Sequence, residues 1–549
     1  MDASRVPLAF RAQIDGRCQL QRINPRLKGT EAKNNDAYIW AQQWLQGASQ
    51  KPPKFSPEVK THEYQITWRF ITNSGQDESI ILPVIAGTGC PFYPGSSMKG
   101  AFRRACRQKF PQRLLRYCGG EVSNNGQRET QPGILRFHGA YPSNSNWSNE
   151  SLVDLVHPQQ EWQIEGQANH SAFFMMSLFK PKLRFGISCQ DSLSDQEWDE
   201  IWQIWETALG YGIGSRVSAG YGHIAKHEAS QLLKVMLKGE GLIPQRVDGS
   251  TEFRPNMFKA VLRGHTLRLL GGVTDAATAQ AITKKLWGGF AGRNGAIVGE
   301  LGIAFSYNPD DLEIYKGQVP PYFLERGQLD ILALNVPDET RRRNLRNVII
   351  YLMKFSMMLG GFGKSWRRAS HYKFYSDTDY RRDIGCHWEF LGRTQGLYEP
   401  MRNLADVKEY FRKLHGHIQN WVTKVEGKQL NAQGANWREA WHPDRVQVWA
   451  RFDDDREAIS EALDWFHGEF AGNPRIKGSH LTGKLGIIGR LWQRMYPWYI
   501  KKPDGRLVQR GFIEFVTVFP DPNPNSRDQK MQQDFLRFLA ERSNFDRVW

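Results

Sequence analysis

The sequence predicts an α+β fold made of tandem ferredoxin-like units with insertions, in which the elements follow the order β-α-β-β-α-β. Apolar residues alternate over residues 64–72, as they do in a half-buried strand. Residues 195–210 carry apolar side chains at helical spacing, among them Ile201 and Trp205. The same order of patterns recurs in weaker form from residue 232 to residue 359, which predicts a second unit.

Length and pattern divide the chain into four parts, because 549 residues are too many for one hydrophobic core. We predict an N-terminal extension over 1–54, a first unit over 55–229, a second and degenerate unit over 230–394, and a C-terminal α/β region over 395–549. The last region either completes the second unit or forms a third, and its pattern fits both.

The individual elements are expected as follows. In the extension and the first unit we predict strands at 6–14, 64–72, 133–141 and 182–188, helices at 37–45, 98–110 and 195–210, and a closing strand from His223 onward. In the second unit we predict strands at 232–238, 296–305 and 329–334 and helices at 276–286 and 341–359. In the C-terminal region we predict helices at 404–424, 456–467 and 531–541 and strands at 446–452 and 512–519.

The composition is strongly basic and rich in aromatic residues. There are 73 Lys and Arg against 57 Asp and Glu, a net charge of +16, together with 19 Trp, 18 Tyr and 30 Phe. Cations hold phosphates and flat rings stack on unpaired bases, so this composition fits a polyanion such as RNA. A basic surface over an aromatic core would give the same totals.

Cysteine usage and hydropathy point to the cytoplasm. The six cysteines are scattered and none forms a Cys-x-x-Cys pair, so we expect reduced, buried thiols and no zinc site. No apolar run approaches ~18 residues, so no membrane span is expected. The N-terminal residues lack the apolar centre of a signal peptide.

Residues 91–104, with the sequence PFYPGSSMKGAFRR, combine a turn and a basic helix. Pro94 and Gly95 predict the turn, and Ser96 or Ser97 is expected to cap the helix. The first helical turn offers unpaired N–H groups to a phosphate. Further positive charge follows along the helix at Lys99, Arg103 and Arg104. The stretch therefore predicts an RNA contact, although an ordinary capped surface helix has the same pattern.

Residues 210–222, GYGIGSRVSAGYG, form a glycine-rich loop after the second predicted helix. Glycine has no Cβ, so Gly212, Gly214 and Gly220 allow a phosphate to approach the backbone. Arg216 supplies a guanidinium suited to phosphate, and Tyr221 can stack on a base. The alternative is a tight helix-to-strand connection that needs positive φ angles.

The second unit has a weaker counterpart of each motif. After the helix at 341–359, the same role falls to Gly361, Gly363, Lys364 and Arg367. In the stretch 257–270 of this unit, Lys259 and Arg263 take the place of the Pro-Gly-Ser-Ser turn, which is absent here.

Two of these stretches, YPGSSMKGAFR at 93–103 and GIGSRVSAGYG at 212–222, resemble motifs of the RAMP superfamily of CRISPR proteins. The first is similar to the family's Pro-Gly-Ser-Ser-Leu-Lys-Gly turn and the second to its glycine-rich loop. The resemblance covers residues 60–226 well, and residues 230–390 only in element order and degenerate glycine loops. It implies RNA-recognition-like units.

The resemblance further implies a backbone subunit of a type III CRISPR effector complex, an antiviral ribonucleoprotein. The implied partners are the guide CRISPR RNA, the target RNA, and the other RAMP and large subunits. Some members of the family cut target RNA with a loop aspartate and a divalent metal. That loop lies between the first strand and the first helix of a unit, where this chain has Asp77 and Asp248. The resemblance therefore implies Mg²⁺ or Mn²⁺ at these residues if the chain is such an endoribonuclease, whereas a lone loop aspartate is commonly only solvated.

Two other functions remain open from the sequence. RAMP relatives that process the guide precursor without metal use a histidine, or a Tyr/Lys set, near the glycine loop, where this chain has His223 and Lys226. The chain can also be a purely structural subunit whose basic face contacts only other subunits.

Overall fold

The computed structural model describes residues 36–49, 51–77, 80–124, 127–156, 159–166, 173–246, 248–290, 296–315, 321–336, 338–363, 367–370, 383–454, 459–470, 472–473, 475–483, 489–520 and 527–549. Within these residues the fold is α+β, which confirms the predicted class. The expected strand at 6–14 lies outside them. The order β-α-β-β-α-β is complete in two stretches of the described part of the chain, and an earlier stretch follows it without the last strand. In chain order we call these stretches the first, second and third repeats, the first being the one that lacks the closing strand.

The first repeat is preceded by helix α1 (Asp36–Gly47). The repeat itself consists of β1 (Lys60–Gln65), α2 (Gly95–Lys109), β7 (Leu135–Pro142), β11 (Lys182–Cys189) and α5 (Asp195–Gly210). Shorter elements lie between these: β2 (Arg69–Phe70), β3 (Gly75–Asp77), β4 (Ile80–Leu82), α3 (Leu114–Cys118), β5 (Gly119–Asn124), β6 (Gln127–Pro132), β8 (Val153–Val156), α4 (Gln159–Glu165), β9 (Phe173–Met176) and β10 (Leu178–Phe179). The main sheet is antiparallel with the order β1-β11-β7. Helices α2 and α5 cover it through buried residues such as Met98, Phe102 and Trp205.

The closing strand expected from His223 is not formed, and this prediction is wrong. Residues 211–230 contain turns and no strand. The glycine loop instead runs beside residues 67–71: Thr67 N–H donates to the His223 carbonyl at 2.9 Å, and Gly222 N–H donates to the Arg69 carbonyl at 2.7 Å. Because these bonds use the backbone groups after β1, the loop occupies the place that a fourth strand would take.

The second repeat has the complete four-stranded sheet of a ferredoxin-like unit. Its elements are β12 (Gln231–Leu242), α6 (Asn256–Gly271), α7 (Ala276–Trp287), β13 (Gly289–Phe290), β14 (Ala296–Ile297), β15 (Leu301–Tyr307), β16 (Leu312–Ile314), β17 (Pro321–Ala333), α8 (Glu339–Leu359), β18 (Arg367–Ser370), β19 (Asp383–Ile384) and β20 (His387–Phe390). The order β15-β17-β12-β20 is antiparallel throughout.

The third repeat lies in the C-terminal region, for which the sequence left open whether it completes the second unit or forms a third. Its elements are α9 (Leu404–Asn420), β21 (Gln447–Asp453), α10 (Ala462–His467), β22 (Leu491–Lys501), β23 (Leu507–Val518), α11 (Arg527–Arg542) and β24 (Asp546–Arg547). From β21 onward they follow β-α-β-β-α-β, and the antiparallel order β22-β23-β21-β24 repeats that of the second repeat. Strand β18 joins this sheet at β22, so the second repeat also contributes to it.

One apolar core joins the second and third repeats, whereas the first repeat has a core of its own. Phe258 and Trp388 of the second repeat belong to the same cluster as Trp492 and Phe515 of the third. The first-repeat core forms around Phe185. The five cysteines among the described residues are free thiols, and four of them are buried.

Candidate nucleic-acid interface

The Pro-Gly-Ser-Ser turn leads into α2 without a side-chain cap. Pro94 occupies the N-cap position, so the expectation that Ser96 or Ser97 caps the helix is wrong. Both serines are instead exposed on the first helical turn. A Cβ atom on Gly95 would lie 2.0 Å from the Phe137 carbonyl oxygen, so only glycine lets the helix begin this close to β7.

Exposed cations follow this turn along α2. Lys99, Arg103 and Arg104 all face solvent, and none forms an ion pair with a carboxylate in the described part of the chain. Burial raises the pKa of Tyr211, at the start of the glycine loop, while Arg104 of α2 and Arg342 of α8 oppose that rise. The positive charge of α2 therefore extends toward the glycine loop.

The glycine loop is held between two repeats. On one side, Ser215 N–H donates to the Ile71 carbonyl of the first repeat at 2.9 Å. On the other side, Ile303 N–H of β15 donates to the Ser218 carbonyl at 3.2 Å, and Ala219 forms a parallel bridge with Ile303. The loop thus covers the edge of the second sheet and is fixed by backbone bonds in both directions.

The glycines of this loop are required by packing against protein atoms. Gly212, Gly214 and Gly222 have φ angles of 82°, 80° and 68°. A Cβ atom would lie 2.5 Å from the Val217 side chain at Gly212, 2.3 Å from the Ile71 carbonyl oxygen at Gly214 and 1.9 Å from the Ile213 carbonyl oxygen at Gly222. At Gly220, with φ 93°, the nearest atom would be the Ile303 Cδ1 at 3.2 Å. The close approach that needs glycine is therefore to this chain's own backbone, as in the tight-connection alternative.

Arg216 has an unusual backbone conformation in the same loop. Its φ angle of 58° lies in the left-handed region, which costs a large side chain roughly 1–2 kcal/mol. Its carbonyl accepts from Ala219 N–H at 2.8 Å, which fixes the turn. Burial lowers the pKa of the half-buried guanidinium, and Tyr221 and Asp154 partly offset this effect. The loop therefore places a partly desolvated cation by means of a strained turn.

Lys259 of the second repeat reaches the same loop. Its ammonium donates to the Ser218 Oγ at 2.6 Å. Burial, together with the neighbouring Arg263 and Arg216, lowers the pKa of Lys259 to about 7. No carboxylate in the described part of the chain pairs with Lys259. We call Arg216, Ser218 and Lys259 the composite cation site, because two repeats build it.

The sequence of this region matches a known family. Residues 72–225 match the family model of the RAMP superfamily. This RAMP segment contains both the Pro-Gly-Ser-Ser turn and the glycine loop, so the resemblance to the family is supported for this part of the chain. A comparison with curated proteins gives no match. Among the helices that the structure describes, none combines the length and hydrophobicity that a bilayer crossing requires.

Tyr221, at the end of the RAMP segment, is fully buried. Its hydroxyl donates to the Asp154 Oδ2 at 2.8 Å and accepts from Arg254 at 3.2 Å, and its ring lies 4.5 Å from that of Trp68. Burial raises the pKa of Asp154, but Arg254 and Arg69 outweigh burial and hold it below its usual value. In this conformation Tyr221 anchors the glycine loop, and its ring is not exposed to a base.

Arg263 points away from the composite cation site toward a carboxylate. It forms an ion pair with Glu161 of α4, and both side chains are partly buried. Its charge is therefore largely compensated within the chain.

The glycines after α8, Gly361 and Gly363, lie where the second repeat packs against the third. A Cβ on Gly361, with φ 65°, would lie 3.2 Å from the Arg494 guanidinium, and Gly363 has φ 127°. Arg494 is buried and donates to the carbonyls of Met357 at 3.1 Å and Cys386 at 2.9 Å. Arg367 pairs with Gln493 of β22 through its backbone, while its side chain and the whole of Lys364 lie outside the described residues.

The two aspartates implied as metal ligands lie in different settings. Asp77 ends β3, which pairs with β4, and its side chain lies outside the described residues. Asp248 is exposed at the tip of a short turn, where its Oδ1 accepts from Ser250 N–H at 2.9 Å and from the Ser250 hydroxyl at 2.5 Å. Burial raises the pKa of Asp248, and the Ser250 hydrogen bonds outweigh this rise.

A metal ion would find few protein ligands near Asp248. No group of three His, Cys, Asp or Glu side chains suited to a metal occurs among the residues that the structure describes. Mg²⁺ is commonly bound through one or two carboxylates plus substrate phosphates and water. A single exposed carboxylate fits only that arrangement, in which the RNA completes the coordination.

The histidine beside the glycine loop is unsuited to acid–base chemistry. His223 has no exposed surface, and its Nε2 lies 2.8 Å from the Val217 carbonyl oxygen. Burial lowers its pKa to about 3, and His227 adds to this effect. A neutral, enclosed imidazole cannot reach a ribose hydroxyl, so His223 gives no support to metal-independent processing.

Proposed function

We propose that this chain is a guide-RNA-binding backbone subunit of a type III CRISPR effector complex. The match of residues 72–225 to the RAMP superfamily supports an RNA-binding, CRISPR-associated role. The net charge of +16 and the exposed cations of α2 favour a polyanionic partner. The three repeats, of which the first lacks its closing strand, fit a protein that lies along an extended RNA.

The composite cation site is the observation on which this proposal rests. Arg216 lies close enough to Lys259 to contribute to its lowered pKa, and a hydroxyl is the hydrogen-bond partner of Lys259. Holding two partly desolvated cations together costs electrostatic free energy. A phosphate between them would remove that cost and accept hydrogen bonds from both side chains and from Ser218. The guide RNA supplies such phosphates without regard to sequence.

Reversing the charge of Arg216 is expected to weaken guide RNA binding about tenfold or more, because a charge-assisted hydrogen bond contributes about 1.5–3 kcal/mol. Arg216→Glu is compared with the wild-type chain by fluorescence anisotropy, using a repeat-containing single-stranded RNA over a series of salt concentrations.

Arg326→Glu provides the matched control, since Arg326 is exposed on β17 away from the glycine loop. Circular dichroism reports whether the Arg216 variant keeps its fold. Equal RNA affinity in the wild-type chain and a folded Arg216→Glu variant would remove the basis of the proposal. Wild-type binding that does not respond to salt would indicate a purely structural subunit.

Target RNA cleavage through Asp248 forms the second, enzymatic part of the proposal. The exposed carboxylate can hold Mg²⁺ or Mn²⁺ together with RNA phosphates. In the assembled complex with Mg²⁺, Asp248→Asn is expected to remove one cleavage product, so that total target cutting falls roughly twofold if Asp77 serves a second cut. Asn keeps the hydrogen bonds to Ser250 but removes the charge. An unchanged product ladder in Asp248→Asn and Asp77→Asn would leave the chain a scaffold.

A further inference from the structure

A basic β-hairpin belongs to the third repeat, whereas the composite cation site is built by the first and second repeats. Strands β22 and β23 stay paired up to Lys501 and Leu507. The side chains of β22 are buried through Tyr499, whereas residues 501–506 are all exposed. The end of this hairpin therefore stands clear of the core and contributes little to its packing.

The turn that closes the hairpin is tightly specified. Gly505 N–H donates to the Lys502 carbonyl at 2.9 Å, and Lys502 N–H donates to the Arg506 carbonyl at 2.9 Å. Pro503 fixes its own φ angle, and Gly505 has a φ of 83° with no atom within 4 Å of a Cβ position. The Asp504 Oδ1 accepts from Arg506 N–H at 3.0 Å. Such a turn holds the side chains beside it in a defined arrangement before any partner binds.

The charge on this hairpin is strongly one-sided. Residues 499–511 contain four cations, Lys501, Lys502, Arg506 and Arg510, and the single carboxylate Asp504. Arg506 is paired with Asp504 at 2.6 Å and Arg510 with Asp454 at 3.6 Å. Lys501 and Lys502 pair with no carboxylate in the described part of the chain.

The hairpin of β5 and β6 in the first repeat offers a comparison. It is shorter and also largely exposed, but its one arginine, Arg128, lies among two glutamates, Glu121 and Glu129. Arg128 and Glu121 are 3.9 Å apart. An exposed hairpin in this protein therefore does not have to be basic. Exposure alone does not account for the two lysines of the third repeat that lack a carboxylate partner within the described residues.

One face of the basic hairpin combines cations with apolar surface. Ile500 and Val508 are directly paired across the strands, and Lys502 and Arg506 follow on the same face two residues nearer the turn. Val508 is 37% exposed. A strip of apolar side chains bordered by cations matches the sugar and base edges of single-stranded RNA bordered by its phosphates.

We propose that this hairpin is a second RNA-binding surface for single-stranded RNA. Lys502, on the face of Ile500 and Val508, and Lys501, on the opposite face beside Leu507, contact phosphates of the RNA where it passes the end of the hairpin. The proposal rests on the proposed RNA-binding function but concerns a different repeat and different residues from the composite cation site. One RNA strand can therefore be held by two sets of residues of the same chain.

The full-length double variant Lys501→Ala/Lys502→Ala tests this assignment. Binding of a fluorescein-labelled, repeat-containing RNA is measured by anisotropy from low to high salt. Each phosphate contact to a single strand contributes about 0.7 to the slope of log affinity against log salt, so losing two contacts should reduce the slope by about 1.4. Thermal unfolding should not change, because both lysines are exposed and unpaired within the described residues.

Lys530→Ala/Arg542→Ala is the matched control, because it removes two exposed cations from α11, where Asp528, Asp534 and Glu541 offset most of the positive charge. We expect the wild-type slope from this control. A wild-type slope in Lys501→Ala/Lys502→Ala would overturn the inference while leaving the Arg216 result intact. Normal RNA binding by that variant combined with lost assembly of the complex would assign the hairpin to an acidic protein surface instead. An equal loss of slope in both double variants would also contradict a specific role for the hairpin.

Discussion

Replacing Glu252 with alanine is expected to destabilise the folded chain by about 3–5 kcal/mol, the usual cost of removing one partner from a buried ion pair. Glu252 is 6% exposed and accepts hydrogen bonds from Arg69 Nε at 2.8 Å, Arg69 Nη2 at 2.5 Å and Trp68 Nε1 at 3.0 Å. Arg246 also pairs with it. Without this carboxylate, two buried guanidinium groups lose their counter-charge and cannot reach water.

Glu63→Ala is the matched control for this prediction. Glu63 also lies beside two cations, with Lys182 and Arg184 each at 2.7 Å, but at the surface, where water and salt weaken such pairs to about 0–1 kcal/mol. Denaturant unfolding followed by tryptophan fluorescence measures both losses of free energy. If the two variants lost equal stability, burial would not be what makes the Glu252 cluster important.

Hydrogen exchange adds a local test, because the cluster joins two repeats. Glu252 precedes α6 of the second repeat, whereas Arg69 and Trp68 follow β1 of the first. Through Arg69 and Arg254, the cluster also borders the Asp154–Tyr221 pair that anchors the glycine loop. Peptides covering residues 66–71 and 219–223 should therefore lose protection first in Glu252→Ala.

Capping residues and the spacing of apolar side chains predicted correctly those helices that such local interactions determine. Helix α5 has the predicted bounds of 195 and 210, since Ser194 caps it and apolar residues recur at helical spacing. The strand predicted from His223 is not formed, because the local pattern does not show that other backbone groups compete for the same pairing partners. The glycine loop forms backbone hydrogen bonds with residues 67–71, so these groups are not available to pair with a further strand.

The third repeat and the composite cation site needed information on pairing that no local pattern contains. Strand β22 is buried along nearly its whole length, so it lacks the alternation that marks a half-buried strand. Arg216 and Lys259 were each predicted to bind RNA, but in separate units. The two residues come together because the glycine loop pairs with the edge of β15. This contact joins residues far apart in the sequence, so no local pattern predicts it.

RNA affinity at the composite cation site should fall as the pH rises, approaching a 100-fold loss between pH 6 and pH 9. Burial, with smaller effects of Arg263 and Arg216, lowers the pKa of the unliganded Lys259 to about 7. Only the charged ammonium attracts a phosphate, and the phosphate in turn raises the pKa of the lysine. The charged form predominates below pH 7, and each pH unit above 7 costs about 1.4 kcal/mol of binding free energy.

Lys259→Arg isolates this effect, because arginine stays charged over the whole range. The other charged groups facing Lys259 are Arg216 of the glycine loop and Arg263 of its own helix, whose partner is Glu161 of α4. The ratio of wild-type to Lys259→Arg affinity, measured by anisotropy at each pH, cancels the titration of the RNA bases. That ratio should decline steadily above pH 7, because deprotonation of Lys259 is the step that releases the phosphate; a constant ratio would place the phosphate away from this lysine.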